Sequence, residues 1–325
     1  MPRKNDTGTN NPNPNPNPDA STVTGAGRRT GTHRTRTADR RRLLRREVPG
    51  TVGLLADAGD FAAMRGYRSF AFDDHQDYLH HVDALLRSLA AQGIHTTVAL
   101  FDPEEYAEFC GETGLDPDTV DARARFTAEL AGSGALLPYG GQPIDELVPL
   151  LVDEAVRQAT WEYATGVLAE VGHCADCGED IGHASFDRAT DALKRLVAGA
   201  GPGHHHFVCS IPTKAHQLVA VLHADTTDDP DAPPRIEARE GLDFVTVLAA
   251  GLALGGPGGL VVRTTGQGRD RVHGWRLDRG RLTVLSAAAV FNAYCTDADT
   301  GDPVAPESGV EYCPGYEVDA PGPHH

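Results

Sequence analysis

Leu79, Val82, Leu86 and Leu89 recur every three or four positions, which predicts a helix with one apolar face. Asp73 or Asp74 stands where a carboxylate can accept the free N–H groups of its first turn, and Gly93 ends it. Residues 67–72 and 95–101, rich in β-branched and aromatic side chains, are expected as strands on either side. Strand, helix and strand with short links predict a parallel, right-handed βαβ unit. Asp102-Pro103-Glu104-Glu105 then opens another helix, with a capping carboxylate, a proline in the first turn and two acids facing the positive end of the dipole. Asp116-Pro117-Asp118 repeats the device before a helix to about Leu130. Capping accounts for both acidic groups without catalysis.

Further along, a long helix is expected over residues 148–171, its buried stripe marked by Leu151, Ala155, Ala159, Tyr163 and Val167. A shorter helix follows over 185–197, then strands over 206–211 and 217–223 and an acidic, proline-containing loop over 225–234. Residues 241–254 are apolar nearly all round, as in a buried helix. Strands are expected over 259–264, 272–277 and 281–285, the last two meeting at the hairpin signal Asp278-Arg279-Gly280. A short helix over 287–295 and a loose tail after Gly315 complete the pattern. The fold class is mixed α/β (α+β): an N-terminal βαβ unit, a helical middle and C-terminal strands and helices.

Composition divides the chain. Residues 11–18 alternate Asn and Pro, which provides neither helix nor ladder. Residues 1–46 carry eleven Lys/Arg against three Asp, while the whole chain of 325 residues has a net charge of −17, which leaves −25 on residues 47–325. The division expected is a disordered basic arm or over-called start over 1–63, an α/β half over 64–172 and an α+β half over 173–325, with 64–325 as one unit the alternative. Met64 is the other methionine. The arm admits weak nucleic-acid binding, which the acidic remainder opposes by repelling phosphates. Arg outnumbers Lys 26 to 3, which reads as the codon bias of a GC-rich, actinobacterial genome rather than as selection for phosphate contacts. No run of some 18 apolar residues suggests a membrane span. Arg40-Arg41-Arg42-Leu43-Leu44 lacks the apolar stretch an export signal needs. A cytoplasmic protein with reduced or metal-bound cysteines is therefore expected.

The sharpest chemical signal is His173-Cys174-Ala175-Asp176-Cys177-Gly178-Glu179-Asp180-Ile181. Two thiolates separated by two residues can face one tetrahedral Zn²⁺, and the glycine lets the turn close. A structural zinc needs two more ligands. Cys295 and Cys313, which bracket a loop rich in Asp, Gly and Pro, are the expected pair, with His173 and His183 in reserve. An inert pair of free cysteines and a redox pair are the other readings. Residues 174–181 resemble the first half of the zinc finger of DksA/TraR-type transcription regulators, which also reads C-x-x-C-G-E-x-I. The second C-x-x-C and the preceding coiled coil of that family are absent, so the resemblance implies a ligand role for Cys174 and Cys177 and nothing about RNA polymerase. The chain as a whole resembles an uncharacterised actinobacterial family of hypothetical proteins, which implies no activity.

Weaker groups are read as structural. Cys209 alternates with Phe207 and Ile211 onto one strand face and is expected to be a buried, inert thiol. His204, His205 and His206 are expected in a surface loop. Asp73, Asp74, His75, His80 and His81 are explained by the start of a helix. Residues 297–308 fail as a calcium loop, because the glycine falls early and Ser308 replaces the required Glu. The glycine-rich segments at 199–203 and 255–259 follow helices and precede strands, the reverse of phosphate-binding order. The expected function is that of a zinc-stabilised regulatory or interaction protein, its partner another protein. An enzyme of unrecognised type, a hydrolase using residues near Asp73 or the loop at Asp225, is the alternative.

Overall fold

The computed structural model describes residues 50–318 apart from 215, 228, 230, 231, 267, 298 and 299, and the side chain of Ser133 is not described. The N-terminal unit begins earlier than its sequence pattern suggests. Strand β1 (Thr51–Leu54) is buried along its whole length. It pairs in parallel with β2 (Thr97–Leu100), Thr51 opposite Thr97. Between them lie α1 (Ala58–Met64), capped by Asp57, and α2 (His75–Ala91), capped by Asp74, which accepts the N–H of Asp77 at 3.0 Å. The βαβ unit is therefore present, but residues 67–72 are not its first strand. Gly66 precedes that run and Ser69 interrupts it, and its aromatics serve a loop. Phe70 and Phe72 pack edge to face or tilted on Phe61 and Tyr78, with centroids 5.1–5.6 Å apart for Phe61–Phe70 and Phe72–Tyr78. Residues 51–63, expected to be part of a dispensable arm, carry core side chains: Val52, Leu54, Leu55 and Phe61.

Helices α3 (Pro103–Thr113) and α4 (Val120–Ser133) follow, with Asp102 and Thr119 as caps. Asp116 and Asp118 do not cap α4 directly. Asp116 accepts the N–H of Asp118, and Asp118 accepts the N–H of Ser69 at 2.7 Å. Strand β3 (Leu136–Pro138) adds antiparallel to β2, giving the order β1-β2-β3.

Helix α5 (Ile144–Glu170) belongs to two cores. Leu147 and Leu151 are buried in the N-terminal one, and Ala164 lies in a second core built from residues 164–318. Its buried stripe is shorter than the sequence pattern implies, since Ala159 is exposed. Pro149 sits in its second turn, near an end where few backbone bonds are lost. Arg157 of α5 ties the helix down through Glu154 at 2.6 Å and through Asp243, and Arg239 reaches Glu154 at 2.5 Å.

The second unit is a seven-stranded sheet with helices α6 (Ile181–Ala200) and α7 (Ala238–Leu254) on one face. Its strands are β4 (Gly203–Pro212), β5 (Gln217–Thr226), β6 (Arg235–Ile236), β7 (Gly258–Thr265), β8 (Asp270–Asp278), β9 (Arg281–Val284) and β10 (Val310–Tyr312). They lie in the order β10-β8-β7-β4-β5-β6, with β9 paired to β8. Alternation puts Phe207, Cys209, Leu222, Leu260, Val262 and Trp275 under the helices, and leaves His204, His206, Val219 and Val221 on the opposite face. Helix α7 is buried nearly all round, as its composition demands. The hairpin at Arg279 (φ 49°) and Gly280 (φ 70°) turns as its sequence signal requires. Helix α8 (Ala287–Tyr294) lies on the opposite face at β8, where Gly274 leaves room for Val290. Residues 316–318 are not loose: Tyr316 lies edge to face on Trp275, its hydroxyl donates to Leu196 O at 2.5 Å, and Val318 is buried. Gly199 admits that ring, because a Cβ there would lie 2.2 Å from it.

Candidate functional site

The link from α5 to α6 is a tight loop. His173 and Asp180 form an antiparallel bridge, Cys174 N donates to Glu179 O at 2.8 Å, and Gly178 N returns to Cys174 O at 2.9 Å. Gly178 takes φ 74°, a left-handed conformation that a β-carbon would strain. Asp180 then caps α6 through His183 N at 2.7 Å. Inside the loop the backbone N–H groups of Cys177 and Asp176 bond the Cys174 sulfur and hold its thiol below its ordinary pKa. Amide donors converging on one sulfur stabilise a thiolate, the form that binds metal or attacks disulfides. Cys174 is half-buried and Cys177 exposed.

Cys174 borders a cleft of about 250 Å³ walled by Ile181 and Arg188 of α6, Leu252 near the end of α7, and the hairpin turn at Arg279 and Gly280. The Arg188 guanidinium donates to Gly280 O at 2.5 Å and fixes that wall. The cleft thus combines an apolar floor, two cations and the Cys174 thiol.

The expected four-cysteine site is not assembled. Cys174 stands at the hairpin end of β8, whereas Cys313 N bonds Val272 O at the opposite end of that strand. Seven residues of strand separate Val272 from Arg279, roughly 23 Å at about 3.3 Å per residue. Cys295 and Cys313 have separate partners. The Cys295 thiol donates to the Tyr312 hydroxyl at 3.7 Å on the face that carries α8, and the Cys313 thiol, just past the end of β10, donates to Glu311 O at 3.8 Å. The polar loop between the two cysteines is instead closed by a bridge of Thr296 with Pro303 and by Asp297, which accepts Thr300 N at 2.8 Å. Of the reserve ligands, His173 lies in the bridge of the cysteine loop, and His183 faces Asp187 at 3.6 Å on the exposed side of α6. Among the described residues no three His, Cys, Asp or Glu side chains are grouped to hold a metal ion.

The histidine- and acid-rich segments have structural employment. His75 Nε2 lies 3.2 Å from Leu55 O, and the Nδ1 atoms of His80 and His81 meet the carbonyls of Gln76 and Asp77 in their own helix. His204, His205 and His206 lie in strand β4 rather than in a loop. His205 points inward between Thr264, Thr226 and Gly201 O, and burial lowers its pKa. His204 and His206 point outward, to Asp225 at 2.6 Å and to His223 at 3.0 Å. Glu240 continues the second contact through His223 Nδ1 at 3.2 Å. This His206–His223–Glu240 chain depends on strand register and carries no signal in the sequence. Cys209 is fully buried, and burial pushes its thiol up to about 12.

A family of domains of unknown function, DUF8829, matches residues 39–142. That span takes in the βαβ unit and its following helices, stops before α5, and excludes the cysteine loop. The match is consistent with an uncharacterised family and does not reach the residues that resemble the DksA/TraR-type finger. No curated protein and no solved structure matches the chain.

Proposed function

We propose that this chain is a zinc-dependent protein-interaction protein whose Cys174–Cys177 loop supplies two of four ligands to a Zn²⁺ ion shared with a partner. The observation that carries the reading is the loop itself: a turn closed by its own backbone bonds, with two amide donors on the Cys174 sulfur and Cys177 exposed. Soft thiolates suit zinc, and a closed structural site takes four ligands. With the second cysteine pair at the other end of β8, the remaining ligands come from outside the loop. The partner's side chain has a place to enter, the cleft between Cys174 and the hairpin turn. The zinc would serve as a connector and not as a water activator, since four side-chain ligands leave no open position.

Light scattering on the purified full chain, with and without a chelator, tests this. Zinc should raise the assembly state, either to a dimer in which each copy presents its loop or to a complex with a copurifying partner. Chelator should reverse it, and Cys177→Ser should abolish it without unfolding the chain. An assembly state indifferent to zinc, chelator and Cys177→Ser contradicts the reading.

A further inference from the structure

A second site is built into the N-terminal unit. Arg123 of α4 is 8% exposed, so its guanidinium is almost withdrawn from water. It donates to Ser69 Oγ at 2.7 Å and to Ser69 O at 3.3 Å. Among the described residues no carboxylate lies within ion-pair distance of it. Asp118, in the loop before α4, accepts Ser69 N at 2.7 Å. Arginine does not shed its proton, and it has five N–H donors, of which Ser69 uses two. A buried, unpaired cation costs several kcal/mol, which an anion beside it would offset.

The guanidinium borders a cavity of about 40 Å³. At some 10–15 Å³ per water-sized sphere, that is room for about three non-hydrogen atoms, with slight widening for four. The remaining wall is formed by the apolar Leu55, Met64, Phe70, Phe72 and Phe101 and by Tyr78, whose hydroxyl accepts Leu55 N and donates to Gly53 O. The cavity lies just beyond the carboxyl ends of the parallel strands β1 and β2, where open α/β sheets place their ligands. Gly53 keeps it open, because a β-carbon there would lie 2.9 Å from the Phe101 ring. Thr127, one turn beyond Arg123 on the same face of α4, is fully buried against Gly53 with its hydroxyl unpaired among the described residues. Arg123 thus borders the cavity with donors to spare, and the unpaired Thr127 hydroxyl lies behind Gly53 on the same helix face.

We propose that this cavity binds a small monocarboxylate no larger than acetate, with its carboxylate on Arg123 and any methyl group among the aromatic rings. A planar guanidinium matches a carboxylate in a bidentate pair. The acids at the same edge select against a dianion. Asp57 follows β1 and Asp102 follows β2, and Asp60 is raised by burial and by those two neighbours. That field disfavours phosphate more than a singly charged carboxylate.

The test is a thermal-shift titration of the full chain at fixed pH and ionic strength with the sodium salts of formate, acetate, phosphate and chloride, followed by calorimetry. Formate or acetate should raise Tm saturably, with Kd on the order of 1 mM for so few atoms, and Arg123→Met should weaken binding at least tenfold. If Arg123→Met does not fold, Arg123→Lys, which keeps the charge and loses the fork, should weaken it likewise. No saturable response to either carboxylate overturns the proposal, as does an equal response to phosphate or chloride. Binding unchanged in the arginine variant also overturns it.

Discussion

Cys177 and Cys209 show how far one residue type is governed by its surroundings. Cys209 faces the helices between Phe207 and Ile211, and with no polar neighbour to favour the thiolate its pKa rises to about 12. Cys177 sits in a loop whose amides favour the charged form of its neighbour Cys174. In the native chain freed of metal, an aromatic disulfide reagent should modify Cys174 and Cys177 within minutes. Cys209 and Cys110, both buried, should react only on unfolding. Mass spectrometry of the labelled peptides checks the order, and early labelling of Cys209 would contradict the packing described. The inert role of Cys209 was legible from two-residue alternation. The inward turn of His205 was not, because three consecutive histidines carry no apolar signal to say which one faces the core. Arg123 gave no signal either: a lone Arg in an amphipathic helix reads as surface until tertiary packing buries it.

Among the elements, α5 depends most on a charged network. Burial raises the Glu154 carboxyl, but the bonds from Arg157 and Arg239 outweigh it and leave its pKa below the ordinary value. A depressed folded pKa means that the stabilisation is fully present above the unfolded value and is lost as pH falls through the folded one. Glu154→Gln should therefore cost about 2 kcal/mol near neutral pH, the scale of hydrogen bonds to charged groups. In acid the variant and the parent chain should converge. Denaturant melts across pH would show this, and a constant difference at all pH values would remove the network from the account. Helix boundaries were legible where caps declare them, as at Asp74 and Asp102. Strand β1 escaped notice because four residues give too short a pattern, while the aromatic-rich residues 67–72 satisfied strand preference and were needed as a lid over Phe61 and Tyr78.

At the scale of the whole molecule, two cores share one long helix, and neither is complete without its outer segments. A chain beginning at Met64 would lose Val52, Leu54, Leu55 and Phe61 from the N-terminal core and the parallel partner of β2. Each such side chain contributes roughly 1.5–3 kcal/mol when fully buried, and together they rival the 5–15 kcal/mol of a typical domain. That truncation should leave the N-terminal amides unprotected in hydrogen exchange while the seven-stranded sheet stays protected. Equal protection in both would show that β1 is dispensable. The α+β class followed from the order of periodic segments. The distance between the cysteine pairs did not, because it is set by which end of β8 each loop meets, and strand order is invisible to local pattern. The central claim rests on the pair that the fold does hold together. Elemental analysis of the purified full chain, beside the Cys174→Ser/Cys177→Ser double variant, tests it most directly. The account predicts between one zinc per two chains and one per chain in the parent protein and none in the variant; a parent protein without zinc, or a variant that retains it, would contradict it.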